Sequence, residues 1–284
     1  MRFKRFCSLG VAAAIGMSIL AGTAAAKETT AGLTFDFNQN DGGFTPIFSD
    51  YPNEQGVEEF YELRSGHEEV PIAEAGKGLF LSGNNHSDDL FMGYYKDLSG
   101  LVPETEYQFT VRFQLATNVG NDMIGIGGAP GESVFVKCGV ASKEPENSLD
   151  SLNHFCLNIG KGSQSTSGSD MIVVGNLAKE EINRPGEYEF NEIETKVIAR
   201  TDEAGTAYLV IGTDSGFEGV TSYYLDDISV SWADTSEVSV TRGDAAKMLL
   251  DHAHRWDEIV GTPTFTDVAW EAPYAEAVAW AEQN

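Results

Sequence analysis

An uninterrupted alternation of apolar and polar residues between positions 107 and 115 is the feature that most constrains the fold. The stretch reads Tyr-Gln-Phe-Thr-Val-Arg-Phe-Gln-Leu. Successive side chains of a β-strand point to opposite faces, so this pattern predicts a strand with one buried face. The buried face is expected to carry Tyr107, Phe109, Val111, Phe113 and Leu115.

Further β-rich runs follow one another from residue 33 to residue 232, separated by clusters of Gly, Asn, Asp and Pro. They are Leu33–Phe37, Phe60–Leu63, Leu79–Leu81, Leu90–Tyr95, Val134–Val140, Phe155–Ile159, Met171–Val174, Tyr188–Ile198, Ala207–Ile211 and Tyr223–Trp232. Many short strands without intervening helices are typical of a β-sandwich or barrel. We therefore predict one mainly β, antiparallel domain at 27–233, followed by a short polar linker at 234–240.

The N-terminal segment has the pattern of a secretory signal peptide. Three basic residues within the first five positions precede an apolar stretch from Leu9 to Leu20 and an Ala-Ala-Ala cleavage site at 24–26. That stretch is too short to span a bilayer comfortably, and no later segment is long and apolar enough. We expect a secreted protein that starts at Lys27 and has no transmembrane segment.

The composition is strongly acidic, with a formal net charge of −26. Proteins that bind nucleic acid or anionic membranes need Lys and Arg to neutralise phosphates. The charge therefore argues against a nucleic-acid partner. It is compatible with bound calcium, although most acidic side chains simply face solvent.

Two cysteines, Cys138 and Cys156, remain after removal of the signal peptide with Cys7. Export permits a disulfide between them, and we predict one from the even count. The alternative is two free thiols, since unpaired cysteines are often buried as small hydrophobic residues.

Both ends of the β region resemble secreted jelly-roll modules of the galactose-binding and carbohydrate-binding type. The first run holds Phe35-Asp36-Phe37 and precedes a Gly-Gly-Phe turn at 42–44, and the last run contains Leu225-Asp226-Asp227-Ile228. Modules of this kind start with Phe-acidic and close with Leu-Asp-Asp-Ile-like strands. The resemblance implies a jelly-roll β-sandwich that binds a glycan.

The same resemblance implies a structural calcium ion between the first and last strands, with Asp36 and Asp226 as its ligands. Strand alternation predicts that Asp226 shares a face with Ile228 and Val230. An inward carboxylate is costly unless it is paired, hydrogen-bonded or bound to a metal. The alternative is that Asp226 caps backbone N–H groups at the end of the sheet.

Three polar or Gly-rich segments, at 84–89, 127–133 and 212–219, are the candidate binding loops. They are also similar to segments of an uncharacterised family of secreted bacterial proteins. Binding residues favour loops on a rigid scaffold, so we predict that the three segments gather at one rim. The dense amide, carboxylate and imidazole groups of segment 84–89 suit a sugar or a cation. The candidate ligand-binding residues are Asn84, Asn85, His86, Asp88, Asp89 and Asp214.

The last stretch, 241–284, resembles part of an S-layer homology (SLH) region. Thr241-Arg242-Gly243-Asp244 opens a predicted amphipathic α-helix, and Phe265-Thr266-Asp267-Val268 precedes a second one, so we predict a short α-helical C-terminal region. Such repeats hold secreted bacterial proteins on cell-wall polysaccharide, and the resemblance implies that Arg242 contacts an acidic wall sugar. No repeat is complete here, so we interpret the chain as a fragment. A generic helical hairpin is the alternative.

Three functions fit these features. The favoured one is a non-catalytic cell-surface protein, located at the cell wall or S-layer, whose jelly-roll module binds a glycan. A secreted glycan-active hydrolase would need two facing carboxylates. A structural S-layer component would need no ligand. No catalytic residues are assigned.

Overall fold

The structure, a computed structural model, describes residues 31–87, 89–179 and 186–235. The described residues form thirteen β-strands and one short α-helix. In chain order these are β1 (Ala31–Phe35), β2 (Thr45–Ser49), α1 (Val57–Phe60), β3 (Arg64–Glu69), β4 (Lys77–Asn84), β5 (Leu90–Leu98), β6 (Glu106–Thr117), β7 (Val134–Ala141), β8 (Asn147–Leu149), β9 (Phe155–Leu157), β10 (Met171–Asn176), β11 (Glu189–Arg200), β12 (Ala207–Ser215) and β13 (Val220–Asp234).

The strands build two antiparallel sheets and a small ribbon. The six-stranded sheet has the order β11-β6-β13-β4-β3, with β1 also paired to β13. The five-stranded sheet has the order β10-β7-β12-β5-β2, and β8 pairs with β9. The mainly β, antiparallel sandwich predicted from the sequence is thereby confirmed.

The main core lies between the two sheets. The five apolar residues of the alternating stretch at 107–115 are all buried there, as predicted. The five-stranded sheet contributes the inward side chains of β5, β7 and β12. A second apolar cluster lies on the outer face of this sheet, where segment 158–170 covers it. Its members are Ile47, Phe91, Ala141, Ile159, Met171 and Val210.

The strands that the sequence pattern missed are mostly edge strands. β2 contains Pro46 and β3 reads Arg-Ser-Gly-His-Glu-Glu, so neither shows an apolar run. Proline is tolerated at a sheet edge, where one row of N–H groups has no partner strand. The predicted strand at Phe60–Leu63 is wrong, because Val57–Phe60 forms one helical turn that reverses the chain.

A β-bulge in β13 changes which residues face the core. The pairing with β6 shifts between Asp226 and Ser229, and Asp227 has a φ of 44°. A bulge adds one residue to one strand and so reverses the inward alternation beyond it. Leu225 enters the main core before the bulge and Ile228 after it. The prediction that Asp226 shares a face with Ile228 and Val230 is therefore wrong.

The predicted disulfide is also wrong in this structure, where Cys138 and Cys156 are both free. Cys138 points from β7 into the main core, and burial raises the pKa of its thiol to about 12. Cys156 lies on β9 between Phe155 and Leu157, whose side chains pack inward. Strand alternation directs Cys156 the other way, toward partial exposure. The stated alternative of two free thiols describes the structure.

Candidate functional site

The three predicted binding loops meet at one end of the sandwich. The backbone N–H of Asn85 donates to the carbonyl of Gly219 at 3.0 Å, and that of Gly216 donates to Ser133 at 2.9 Å. An isolated bridge joins Ile126 to Glu218. The prediction that segments 84–89, 127–133 and 212–219 gather at one rim is confirmed by these contacts. We call residues 84–87, 127–133 and 216–219 the loop rim, which excludes Asp89 and the β12 residues 212–215.

Asn85 holds the loop rim together from within. Its side chain is only 2% exposed, and its amide nitrogen donates to the carbonyls of Ser215 at 3.0 Å and Phe217 at 3.1 Å. Its amide oxygen accepts from the N–H of Ser87 at 3.1 Å. All of its strong polar contacts are made within the chain. This corrects the sequence-based assignment of Asn85 to ligand binding.

An exposed aromatic pair lies beside the loop rim. The rings of Phe60 and His86 stack with centroids 4.2 Å apart and an interplanar angle of 26°. Phe60 is 62% exposed, and its carbonyl lies 3.2 Å from His86 Nε2. Tyr61 packs beneath, with its ring edge toward His86. We call Phe60 and His86 the aromatic platform.

Polar side chains flank the aromatic platform. The amide nitrogen of Asn84 donates to Glu62 Oε1 at 2.9 Å, and the N–H of Asn84 donates to the carbonyl of Tyr61. These bonds fix the end of β4 against the turn that carries Phe60. Sequence reasoning identified Asn84 and His86 but missed Phe60. The available signal was an aromatic pair set among glutamates at 58–62, which argued for a surface turn.

Asp89 and Asp214 belong to a different site, on the outer face of the five-stranded sheet. They lie with Asp50, Lys137 and Lys161 in what we call the carboxylate–lysine cluster. Both lysine Nζ atoms lie 2.8 Å from Asp214 Oδ2, and Lys161 Nζ also lies 2.8 Å from Asp50 Oδ2. The side chains of Lys137 and Asp214 are fully buried. Full burial and pairing with two lysines give Asp214 a structural role here and do not support its sequence-based assignment to ligand binding.

Segment 158–170 closes the carboxylate–lysine cluster. Lys137 Nζ donates to the carbonyls of Lys161 at 2.8 Å and Thr166 at 3.1 Å. The N–H of Gln164 donates to Asp214 Oδ2 at 3.0 Å. Gly162, with a φ of 73°, allows the tight return of the segment. The cluster thus fastens this covering segment to the sheet.

Burial and charge shift the pKa values of the cluster in opposite directions. Burial, and then the charge of Asp214, raises the pKa of Asp89 to about 8. Burial alone would raise the pKa of Asp214, but the charge of Lys161 and its hydrogen bonds bring it below its usual value. Burial lowers the pKa of Lys137. Lys161 also loses solvation, yet Asp214 and Asp50 raise its pKa.

The three carboxylates of the cluster lie close enough together to suggest a metal site. One oxygen from each of Asp50, Asp89 and Asp214 lies within 4.8 Å of the others, a spacing that suits a cation. The two ammonium groups already lie against Asp214 and neutralise it. The lysines therefore take the place that a metal ion would fill. Sequence reasoning missed them, although Lys137 interrupts an otherwise apolar strand.

Asp36 and Asp226, the predicted calcium ligands, lie near the bulge. Asp226 Oδ1 accepts from the N–H of Asp227 at 2.8 Å, a local bond at the bulge inside β13 rather than a cap at the end of the sheet. Burial raises the pKa of Asp226 to about 6, with smaller contributions from the charges of Asp227 and Asp36. Asp36 lines an open cleft with Asn40. The calcium ion stays a prediction.

Several sequence-based assignments lie outside the described residues. They are Asp88, the signal peptide at 1–26, the linker beyond residue 235, and the S-layer homology resemblance at 241–284 with Arg242. Within the described part of the chain, no helix is long and apolar enough to cross a membrane.

Comparison with known proteins gives matches in fold alone. No protein-family model matches the chain, and no curated protein matches it in sequence. Several of the solved structures that it resembles in fold are carbohydrate-binding modules. One is the CBM22-1 and GH10 portion of a Clostridium thermocellum xylanase, complexed with xylohexaose, at 11% identity and a TM-score of 0.36. That match covers 73% of this chain, which spans 29% of the xylanase chain.

Two smaller modules match over nearly their whole length. The CBM22-1 xylan-binding domain of Paenibacillus barcinonensis is 9% identical with a TM-score of 0.35, covering 71% of this chain and 94% of the domain. The family 11 carbohydrate-binding module of Clostridium thermocellum, in complex with a mixed-linked tetrasaccharide, is 12% identical with a TM-score of 0.32. It covers 70% of this chain and 94% of the module.

Proposed function

We propose that this is a secreted bacterial surface protein whose jelly-roll module binds a glycan without cleaving it. The observation that carries the proposal is the aromatic platform, an exposed Phe60 ring stacked on His86 and flanked by the Asn84–Glu62 pair. A pyranose ring has an apolar C–H face and a rim of hydroxyls. The platform offers a flat apolar surface, and the amide and carboxylate offer hydrogen-bond partners for the hydroxyls.

The position of the platform favours a polymer over a small enclosed ligand. Phe60 projects from a turn beside the loop rim and is 62% exposed. A sugar ring stacked on Phe60 therefore leaves the sugar units on either side of it in solvent. The loop rim fixes the geometry, since Asn85 ties two of its loops together. A few placed polar groups around an apolar surface are the usual means of orienting a ligand.

A glycoside hydrolase is the second candidate function. The carboxylate–lysine cluster on the five-stranded sheet does not favour it. Glycoside hydrolysis needs two carboxyl groups facing a sugar in an accessible site. Asp214 is fully buried and paired with two lysines, and segment 158–170 covers it. These carboxylates therefore support a structural role better than a catalytic one.

Replacing Phe60 tests the binding role. We expect the full chain to bind at least one glycan on an array, and Phe60→Ala to weaken that binding about tenfold or more, since each tenfold is about 1.4 kcal/mol. Ile198→Ala is the matched control, because Ile198 is a half-exposed apolar residue on the edge strand β11. Calorimetric titration with the best glycan gives the affinities. Absence of any glycan ligand, or equal affinity of Phe60→Ala, contradicts the proposal.

Attachment to the cell wall is the second part of the proposal and rests on the sequence resemblance at 241–284. Arg242 would bind the carboxylate of an acidic wall sugar through two parallel hydrogen bonds from its guanidinium group. In the same binding study, purified cell walls serve as a second ligand. Arg242→Ala should lower wall retention while leaving soluble-glycan affinity unchanged. Equal wall retention of both forms contradicts the attachment role.

A structural calcium ion at Asp36 and Asp226 is the third part. Two nearby carboxylates, one of them buried, are stabilised by a divalent cation between them. An ion that binds only the folded state raises stability by mass action. We expect a higher melting temperature in excess calcium than in excess chelator, and a smaller difference for Asp36→Asn. Identical melting temperatures in the two conditions argue against the ion.

A further inference from the structure

Lys137 and Asp214 form a fully buried pair on neighbouring strands. Lys137 pairs across the sheet with Gly212, so Asp214 is its diagonal neighbour on the same face of β7 and β12. Nζ lies 2.8 Å from Oδ2, and neither side chain is exposed. A third group that can carry a proton, Asp89, has a carboxyl oxygen within 4.8 Å of one of Asp214. These are the components needed to condense an amine with an acid.

We propose that Lys137 and Asp214 become joined by an intramolecular amide bond, formed by the folded chain itself with Asp89 as the proton carrier. The bond that forms is Lys137 Nζ to Asp214 Cγ, and the bond that breaks is Cγ to one carboxyl oxygen of Asp214. Overall, an ammonium and a carboxylate give an amide and one water molecule. No oxidation or reduction occurs, and the lost charges are equal and opposite.

Lys137 is the nucleophile because, of the two lysines, it is the one whose pKa is lowered. Burial is the main cause, and the nearby charge of Lys161 acts in the same direction, against the hydrogen bond and charge of Asp214. Lys161 instead pairs with Asp50 and lies over the ring of Phe91, and its pKa is raised. Lys161 thus stays a cation throughout the reaction.

Lys161 and Gln164 make Asp214 a better electrophile. Lys161 Nζ and the Gln164 N–H donate to Asp214 Oδ2 at 2.8 and 3.0 Å. When the amine adds to Cγ, negative charge builds on this oxygen. Donors fixed in advance at such an oxygen lower the barrier, as in an oxyanion hole.

Asp89 supplies and recovers the proton. With its pKa raised to about 8 it is protonated at neutral pH, and one of its carboxyl oxygens lies within 4.8 Å of one of Asp214. Asp214 Oδ1 is buried and accepts no hydrogen bond from the described residues, so it is free to take a proton. Before the attack, one proton of the Lys137 ammonium passes to Asp214 Oδ1. Asp89 gives its own proton to the same oxygen, which leaves as water with these two protons. The nitrogen, which keeps one hydrogen, returns a proton to Asp89. Asp89 is therefore a catalytic residue of the condensation.

The burial of the pair favours the amide over the ions. Two charges in a dry site carry a desolvation penalty that a neutral amide does not. Segment 158–170 covers the site, which limits the return of water for hydrolysis. After condensation the Lys161–Asp50 pair and a protonated Asp89 remain, and the cluster stays neutral.

Peptide mapping of the purified full chain tests the proposal. Amide formation blocks tryptic cleavage after Lys137, so residues 113–143 should appear joined to residues 201–242, at one water less than their summed mass. Fragmentation should locate the link at Lys137 and Asp214. Recovery of unlinked 113–137 and 201–242 as the dominant species overturns the proposal. A link from Lys161 overturns the choice of nucleophile.

Two variants separate the proposal from a purely ionic cluster. Lys137→Met should abolish the linked peptide, and Asp89→Asn should leave both reacting groups in place while slowing the link at least about tenfold, the scale of general acid–base contributions. Circular dichroism checks that each variant is folded. A folded Asp89→Asn variant that links as fast as the parent chain overturns the role of Asp89. The linkage is read by mass, so its failure leaves the glycan-binding result untouched.

Discussion

Lys161→Met should lower the free energy of unfolding by about 3–5 kcal/mol, the typical cost of removing one partner from a buried ion pair. Lys161 Nζ holds Asp50 and Asp214 at 2.8 Å each, and its side chain is 8% exposed. Methionine keeps the length and apolar stem but removes the charge. Asp50 is then left without its cation in a largely buried position. Segment 158–170 also loses the ion pairs of Lys161 that hold it to the sheet.

Denaturant unfolding followed by circular dichroism measures this change. Lys196→Met is the matched control, because Lys196 is an exposed lysine on β11, and we expect no measurable effect there. If the two substitutions cost the same, the cluster is not a stabilising element of the fold. A selective increase in proteolytic cleavage within 158–170 is expected for Lys161→Met alone.

Asp89→Asn should flatten the dependence of stability on pH between about 4 and 8. Burial, and then the charge of Asp214, raises the pKa of Asp89 from 3.8 in the unfolded chain to about 8 in the folded one. Between these two values the folded state holds a proton that the unfolded state has lost. Stability contributed by that proton is complete below the unfolded pKa and is lost as pH rises toward the folded pKa.

The limiting slope for one proton is about 1.4 kcal/mol per pH unit. Asparagine mimics the protonated carboxyl group without titrating, so the difference in slope between the parent chain and Asp89→Asn isolates this group. Burial is the larger cause of the shift, and it persists if Asp214 is converted to an amide. Parallel stability curves from pH 4 to 8 for the two proteins contradict the assignment.

The inner strands were predicted well from the sequence because their buried side chains are apolar and form a recognisable pattern. The alternation through β6 was enough to identify the core face, and the apolar runs located β5, β7 and β12. Edge strands such as β3 face solvent and lack that pattern. A bulge inserts a residue without a sign in the sequence periodicity. The face of the sheet on which Asp226 lies was therefore predicted wrongly.

The candidate sites were less predictable than the fold because they depend on contacts between distant residues. The polar loops were recognised from composition, yet nothing local separates an exposed His86 from a buried Asn85. The carboxylate–lysine cluster joins residues from positions 50 to 214. Apart from Lys137, which interrupts an apolar strand, each of them alone resembles an ordinary surface charge. The pairing of β7 with β12 and the return of segment 158–170 are what bring them together.

The placement of β13 has a consequence for the order in which the chain folds. This fifteen-residue strand lies at the centre of its sheet, with β6 on one side and β4 and β1 on the other. Those three partners come much earlier in the chain, so they have no central partner until β13 is available. Pairings between residues so far apart in sequence slow folding, since the entropy of closing a long loop is lost before any contact offsets it. Formation of this sheet is therefore a late, concerted event rather than a stepwise growth from the N-terminal strands.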